Sequence, residues 1–349
     1  MKFRKASLGI HEERFFRKGL RERLLSFGID FLDDAMIGIM PSDLILIGAP
    51  AGVGKTHFCC NLAYQNVSLG KRVHYIALEA EQYEIERRIK FQIFADLFFK
   101  DPNRPKLESK ISYDKWYVGD FYESLAAYDI LAAEKFEKDY ENLFILYKQD
   151  DFGLDQLIEK VMTVSHETDL IIVDHVHYFD FEDDNENRAM KEIAKTARML
   201  ALEKQIPIVL VAHLRKKDRN NKQLVAGMEE FHGTSDLYKI ATKVVTFSPG
   251  PKINSDSLED HYHTFFRIPK NRINGSVTRY IASVPFSVKG NKYESEYRIS
   301  KADGDKFQDI GYEHYPTWAR KIVGTSGDNV TSITRQSTSP QREIWKGYV

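Results

Sequence analysis

Leu44-Ile45-Leu46-Ile47-Gly48-Ala49-Pro50-Ala51-Gly52-Val53-Gly54-Lys55-Thr56 carries the strongest signal in the chain. A short, unbroken apolar run enters a loop of small residues, and the loop closes on a lysine and a hydroxyl. Small and glycine residues let consecutive backbone N–H groups turn toward one anion. Lys55 is then placed to reach the β and γ oxygens of a nucleoside triphosphate, and the Thr56 hydroxyl suits Mg²⁺. The helix expected to begin here adds its positive dipole end. The first position of the usual G-x-x-x-x-G-K-[ST] spacing is Ala49, with Gly48 one residue earlier; a small side chain is enough there. The whole stretch from Ala49 to Thr56 is the candidate nucleotide cradle, with ATP and Mg²⁺ as the expected cofactors.

Outward from this loop, composition describes an enzyme-sized core. The chain has 349 residues, enough for one large or two ordinary domains. Fifty Lys and Arg against 51 Asp and Glu give a net charge of -1. That excludes a generally basic nucleic-acid coat, although it leaves room for a basic inner channel. Cys59 and Cys60 are adjacent, with no metal-ligand spacing, and read as reduced core residues in a reducing compartment. No apolar run approaches the ~18 residues of a membrane span, so a cytoplasmic protein is expected, with no membrane partner.

The organisation expected is one α/β domain with two tails. Residues 1–25 are rich in Lys and Arg and form a basic N-terminal arm or linker. The ATPase domain is expected over 26–310, and 311–349 as a tail, largely disordered from about 324, where Ser, Thr, Gly and Gln dominate. Strands are predicted near 44–48, 72–78, 169–174, 207–213 and 243–247. Their apolar runs are continuous rather than alternating, which predicts a mostly parallel sheet covered by helices on both faces. Met190, Ile193, Ala194, Ala197, Leu200 and Ala201 fall at helical spacing and predict a core-packing helix. The region 93–150 reads as a helical elaboration. Alternating segments near 263–269, 277–285 and 293–299 predict a C-terminal antiparallel extension.

Triphosphate chemistry needs more than a cradle. Leu170-Ile171-Ile172-Val173-Asp174 is an apolar strand ending in a carboxylate, the partner that Mg²⁺ needs opposite Thr56. A group that orients or deprotonates water is also required. Glu79, at the end of Ile76-Ala77-Leu78, is the better candidate, and Glu81 falls in the first turn of the next helix. His213 ends Ile208-Val209-Leu210-Val211-Ala212, where it could sense a γ-phosphate or serve only the structure.

In this order, these motifs together with Pro269-Lys270-Asn271-Arg272-Ile273-Asn274-Gly275 resemble the RecA-like helicase domain of the DnaB superfamily. The resemblance is nearest to phage primase-helicases and Twinkle-type replicative helicases, in which a histidine closes the fourth motif. It covers about residues 25–300. It implies that Glu79 is the catalytic glutamate, Asp174 the Walker B aspartate and His213 a sensor between nucleotide and DNA. It also implies that Lys270 and Arg272 act in trans on the γ-phosphate of a neighbouring subunit, Arg272 as arginine finger. The loop that would follow the His213 strand carries Arg215, Lys216, Lys217, Arg219 and Lys222 and suits phosphate tracking along single-stranded DNA, without aromatics for base stacking. The Phe179–Asp184 loop is acidic. Gly233-Thr234-Ser235 matches a later DNA-binding motif, but Thr242 stands where an acidic residue is usual.

The resemblance therefore implies a ring-shaped, homo-oligomeric ATPase, a hexamer in this family, that unwinds or translocates on single-stranded DNA with 5'-3' polarity. With only about 25 residues ahead of the core, a primase or loader is expected on a separate chain. The other reading is a RecA-fold ATPase of the recombination or clock-protein type, a nucleotide switch that does not unwind.

Overall fold

The computed structural model describes residues 5–107, 111–120, 122–180, 186–214, 224–227, 229–231, 235–253, 261–302 and 306–319. Its centre is a ten-stranded sheet built from β1 (Leu44–Ala49), β2 (Val73–Ala77), β3 (Leu143–Tyr147), β4 (Leu170–Asp174), β5 (Ile208–His213), β6 (Lys243–Ile253), β7 (His261–Asn271), β8 (Tyr280–Ser287), β9 (Lys292–Tyr293) and β10 (Arg298–Lys301). The order across the sheet is β10-β8-β7-β6-β1-β5-β4-β2-β3, with β9 on β8. From β6 to β3 every pairing is parallel, and from β6 to β10 every pairing is antiparallel.

The unbroken apolar strands are explained by two cores, one on each face. Ile45 and Ile47 of β1 enter one core, and Leu44 and Leu46 enter the other. Leu170 and Ile172 of β4 are likewise separated from Ile171 and Val173. The first core is covered by α2 (Asp30–Met36), α3 (Lys55–Ser68), α4 (Glu84–Lys100) and α6 (Tyr122–Asp139), and is filled by Phe27, Phe58, Phe91, Phe94 and Phe98. The second is covered by α7 (Leu154–Val164), α8 (Glu186–Lys204) and α9 (Ser235–Ile240). The six α8 residues predicted from spacing are all buried there. Cys59 and Cys60 are free and buried against the sheet.

Two elements differ from the sequence reading. The 93–150 region contains β3, an edge strand that pairs with β2 from Val73↔Leu143 to Ala77↔Tyr147. Its side chains are half-buried or exposed, as suits an edge. The expected segment 293–299 divides into β9 and β10, because Glu294 N–H turns back to Pro285 O at 2.9 Å. Toward the C-terminus, Tyr315 and Ala319 are buried, and the Trp318 ring packs 5.9 Å from Phe31 of α2. At the other end, α1 (Ala6–Lys18) buries none of its side chains.

Candidate active site

Four neighbouring parallel strands bring the predicted residues to one edge. The β1–β5 register sets Ala49 beside His213, and the β2–β4 register sets Ala77 beside Asp174, with Glu79 two residues beyond. Because β5 lies between β1 and β4, cradle, histidine, aspartate and glutamate converge at the carboxyl ends of the strands. That is where open α/β sheets bind their ligands.

The cradle takes its shape from glycine. Gly52 and Gly54 have φ of +74° and +94°, a region open to glycine and costly for other residues. Gly54 also caps the start of α3 at Lys55. Gly48 is needed for a different reason: a Cβ there would lie 2.5 Å from the buried Phe231 ring. Lys55 Nζ donates to Pro50 O at 3.1 Å and sits 2.7 Å from His213 Nδ1. An ammonium can only donate, so Nδ1 accepts and the His213 proton lies on Nε2. Burial, then the Lys55 charge, lowers the His213 pKa and keeps the ring neutral.

Asp174 is 2 % exposed. Its Oδ2 accepts from the Tyr75 hydroxyl at 2.8 Å, whereas Oδ1 meets no hydrogen-bond donor. The Thr56 hydroxyl lies against this carboxyl without completing a hydrogen bond, and burial pushes the carboxyl pKa up. A buried, unsatisfied carboxylate oxygen beside a hydroxyl is the donor set of a hard cation. Thr56 and Asp174 therefore fit Mg²⁺.

Glu79 is reached from the turn that follows β4. His175 Nε2 lies 2.8 Å from Glu79 Oε2, off the line of an ideal hydrogen bond. The Tyr178 hydroxyl bears on the same carboxylate, whose charge raises the phenol pKa. Burial, then the neighbouring His213 and Lys55 charges, depresses His177 to about 4; burial, His213, His177 and Lys55 depress His175 to about 3. Both rings are neutral at neutral pH. Glu79, His175 and His213 bring one ligand-type atom each within 4.8 Å of one another, a grouping a transition metal could use. However, His175 Nδ1 accepts the His177 backbone N–H at 3.3 Å. The ring proton is then on Nε2, facing Glu79, and no lone pair is left there for a metal. The sequence reading missed His175, His177, Tyr178 and Tyr75. The run His175-Val176-His177-Tyr178 directly after the aspartate was the available signal.

Lys270 and Arg272 are not in this crevice. They end β7, which runs against β6 so that Val244 faces Lys270, at the opposite edge of the sheet. Lys270 Nζ donates to Tyr238 O at 2.9 Å and Lys239 O at 2.7 Å, while Arg272 is exposed. Thr242 belongs to the framework of that edge. Its hydroxyl donates to Asp43 Oδ1 at 2.7 Å, and Asp43 Oδ2 pairs with buried Lys243 at 2.7 Å. Asp180, in the acidic loop, accepts from Lys148 Nζ and Phe152 N–H, both at 2.6 Å. Arg215, Lys216, Lys217, Arg219, Lys222, Gly233 and Thr234, with Phe181–Asp184, lie outside the described residues.

Comparison with known proteins agrees with this geometry. The chain is 27% identical over 205 residues to the replicative DNA helicase DnaB of Pasteurella multocida, covering 56% of this chain and 40% of that protein. It is 25% identical over 268 residues to DnaB of Haemophilus influenzae, covering 72% and 51%. The chain thus spans about half or less of the length of these relatives. Among solved structures, the ATPase domain of a phage helicase superposes with a TM-score of 0.64 at 16% identity, covering 83% of this chain and 97% of that one. A DnaB-like replicative helicase, studied with its primase interactions, gives the same TM-score and identity over 84% and 68%. These structures share the RecA-like fold. The model of the DnaB-like helicase C-terminal domain matches residues 25–280, and the chain belongs to that family.

Proposed function

We propose that the chain is the motor of an ATP-driven, ring-shaped helicase or translocase on single-stranded DNA. The observation that carries this reading is the split of its charged machinery between two sheet edges. The cradle, Glu79, Asp174 and His213 share one edge, and Arg272 is exposed at the other. A guanidinium that cannot reach its own crevice serves a second copy, and head-to-tail repetition of that contact closes a ring. A hexamer is the ring expected of the family.

In this reading the backbone of residues 49–56 binds the phosphates, and Lys55 exchanges Pro50 O and His213 for phosphate oxygens. Thr56 and Asp174 hold Mg²⁺, which when bound neutralises charge on the phosphates. Glu79 orients and deprotonates the attacking water. Lys270 and Arg272 of the neighbouring copy offset the charge on the transferred phosphoryl group. His213 reports the nucleotide state to residues 215–222, which follow it directly and track the DNA backbone through Arg215, Lys216, Lys217, Arg219 and Lys222. The exposed Leu8, Ile10, Phe15 and Phe16 of α1 dock the arm on a neighbouring copy. Primase or loader activity resides on a separate chain. No helix among the described residues is long and apolar enough to cross a membrane. The two free, buried cysteines support a reducing, cytoplasmic setting.

A mixing experiment tests the shared site. Lys55→Ala and Arg272→Ala should each abolish DNA-stimulated hydrolysis alone and restore part of it when co-assembled, because mixed interfaces recover both groups. No restoration in verified mixed oligomers would contradict the trans arrangement.

A further inference from the structure

Glu79 ends its strand with its side chain 42 % exposed, so β2 alone does not fix where its carboxylate points. The turn after β4 does. His175 is 1 % exposed and its ring is held on three sides: His213 at 4.1 Å, Tyr178 at 4.8 Å and His177 at 5.4 Å between ring centroids. Its Nδ1 is engaged by the His177 N–H, so the only hydrogen-bonding atom left is Nε2–H. That atom is buried, completes no hydrogen bond, and faces Glu79 Oε2 at 2.8 Å. A buried donor left unsatisfied costs about 1–3 kcal/mol, and the nearest acceptor able to relieve it is the carboxylate. Tyr178, three residues along the same turn, brings its hydroxyl to that carboxylate from the solvent side.

We infer that His175 and Tyr178 are positioning residues for Glu79: two neutral donors on one short turn hold Oε2 and leave Oε1 to face the attacking water. The inference rests on the reading of Glu79 as the base. It also explains why a histidine rather than an apolar residue occupies a buried place beside the aspartate. The carboxylate is held without a full positive charge that would weaken it as a base. A catalytic group released from such restraint loses rate through misplacement, while nucleotide binding is untouched.

The test is steady-state ATP hydrolysis by the full chain with Mg²⁺ and single-stranded DNA, comparing His175→Leu, His175→Gln, Tyr178→Phe and Glu79→Gln. His175→Leu should lower kcat roughly 10- to 100-fold with KM for ATP unchanged. His175→Gln, whose amide N–H reaches a similar place, should recover most of the loss. An unchanged kcat in His175→Leu, a loss confined to KM, or a Gln variant no better than Leu would overturn the inference. If His175→Leu does not fold, Tyr178→Phe decides: a several-fold fall in kcat supports the clamp and wild-type kcat contradicts it. Glu79→Gln separates the two levels. If it still hydrolyses ATP, the base assignment fails; if it is inactive while His175→Leu is not, only the positioning role fails.

Discussion

Single residues set the cradle, and their replacement has calculable consequences. Gly48 lies under Phe231, which is fully buried. Gly48→Ala should cost about 1–3 kcal/mol through overpacking, read as a lower denaturant midpoint with unchanged m. His57 is a second marker. Burial, reinforced by the Arg88 charge, depresses it from 6.5 to about 3, and its ring packs 4.9 Å from Phe286. Between those pH values the unfolded chain binds the proton and the folded chain does not. The contribution of His57 is therefore complete above about pH 6.5 and is lost progressively as pH falls toward 3. His57→Phe should flatten the stability-versus-pH slope in that window by ~1.4 kcal/mol per pH unit, measurable by denaturation between about pH 4 and 6. At Glu79, Glu79→Gln should lower kcat by about 10²–10⁴ while leaving nucleotide affinity intact in a fluorescent-nucleotide titration.

At the scale of elements, the sequence was most legible where a strand and its exit motif coincide. Leu44–Thr56 and Leu170–Asp174 could be read outright, because a doubly covered strand must be apolar throughout and must end in chemistry at its carboxyl edge. β3 was not legible: Leu143–Tyr147 is as apolar as a core strand but occupies an edge, and only its register with β2 distinguishes it from a buried helical segment. The clamp on Glu79 escaped for a related reason. His175 meets Glu79 because Ala77 is registered against Asp174, a contact between segments nearly 100 residues apart in sequence that no local spacing encodes. Conversely, Thr242 read as a defect in a DNA-binding motif but is a buried partner of Asp43. α1 keeps Leu8 and Phe15 at 65 % and 76 % exposure. Deleting residues 1–24 should weaken oligomers in analytical ultracentrifugation without lowering the melting temperature of the core, since α1 buries nothing on it. Full retention of oligomers would remove the docking role of the arm.

At the scale of the whole molecule, the sheet separates what must be brought together. The crevice and the exposed Arg272 lie at opposite edges, so activity is a property of the assembly rather than of the chain. The basic residues directly after His213 make DNA the natural controller of that assembly. Replacing Lys216 and Lys217 with alanine should lower DNA affinity and reduce the salt slope of binding by about 1 for each phosphate that is no longer neutralised, with basal hydrolysis retained. The measurement that separates a ring motor from a nucleotide switch is the steady-state rate of ATP hydrolysis with Mg²⁺, with and without single-stranded DNA, in the wild type and in Arg272→Ala. Strong stimulation by DNA that disappears in Arg272→Ala is the expected result. Hydrolysis indifferent to DNA, or stimulation that survives without Arg272, would contradict it.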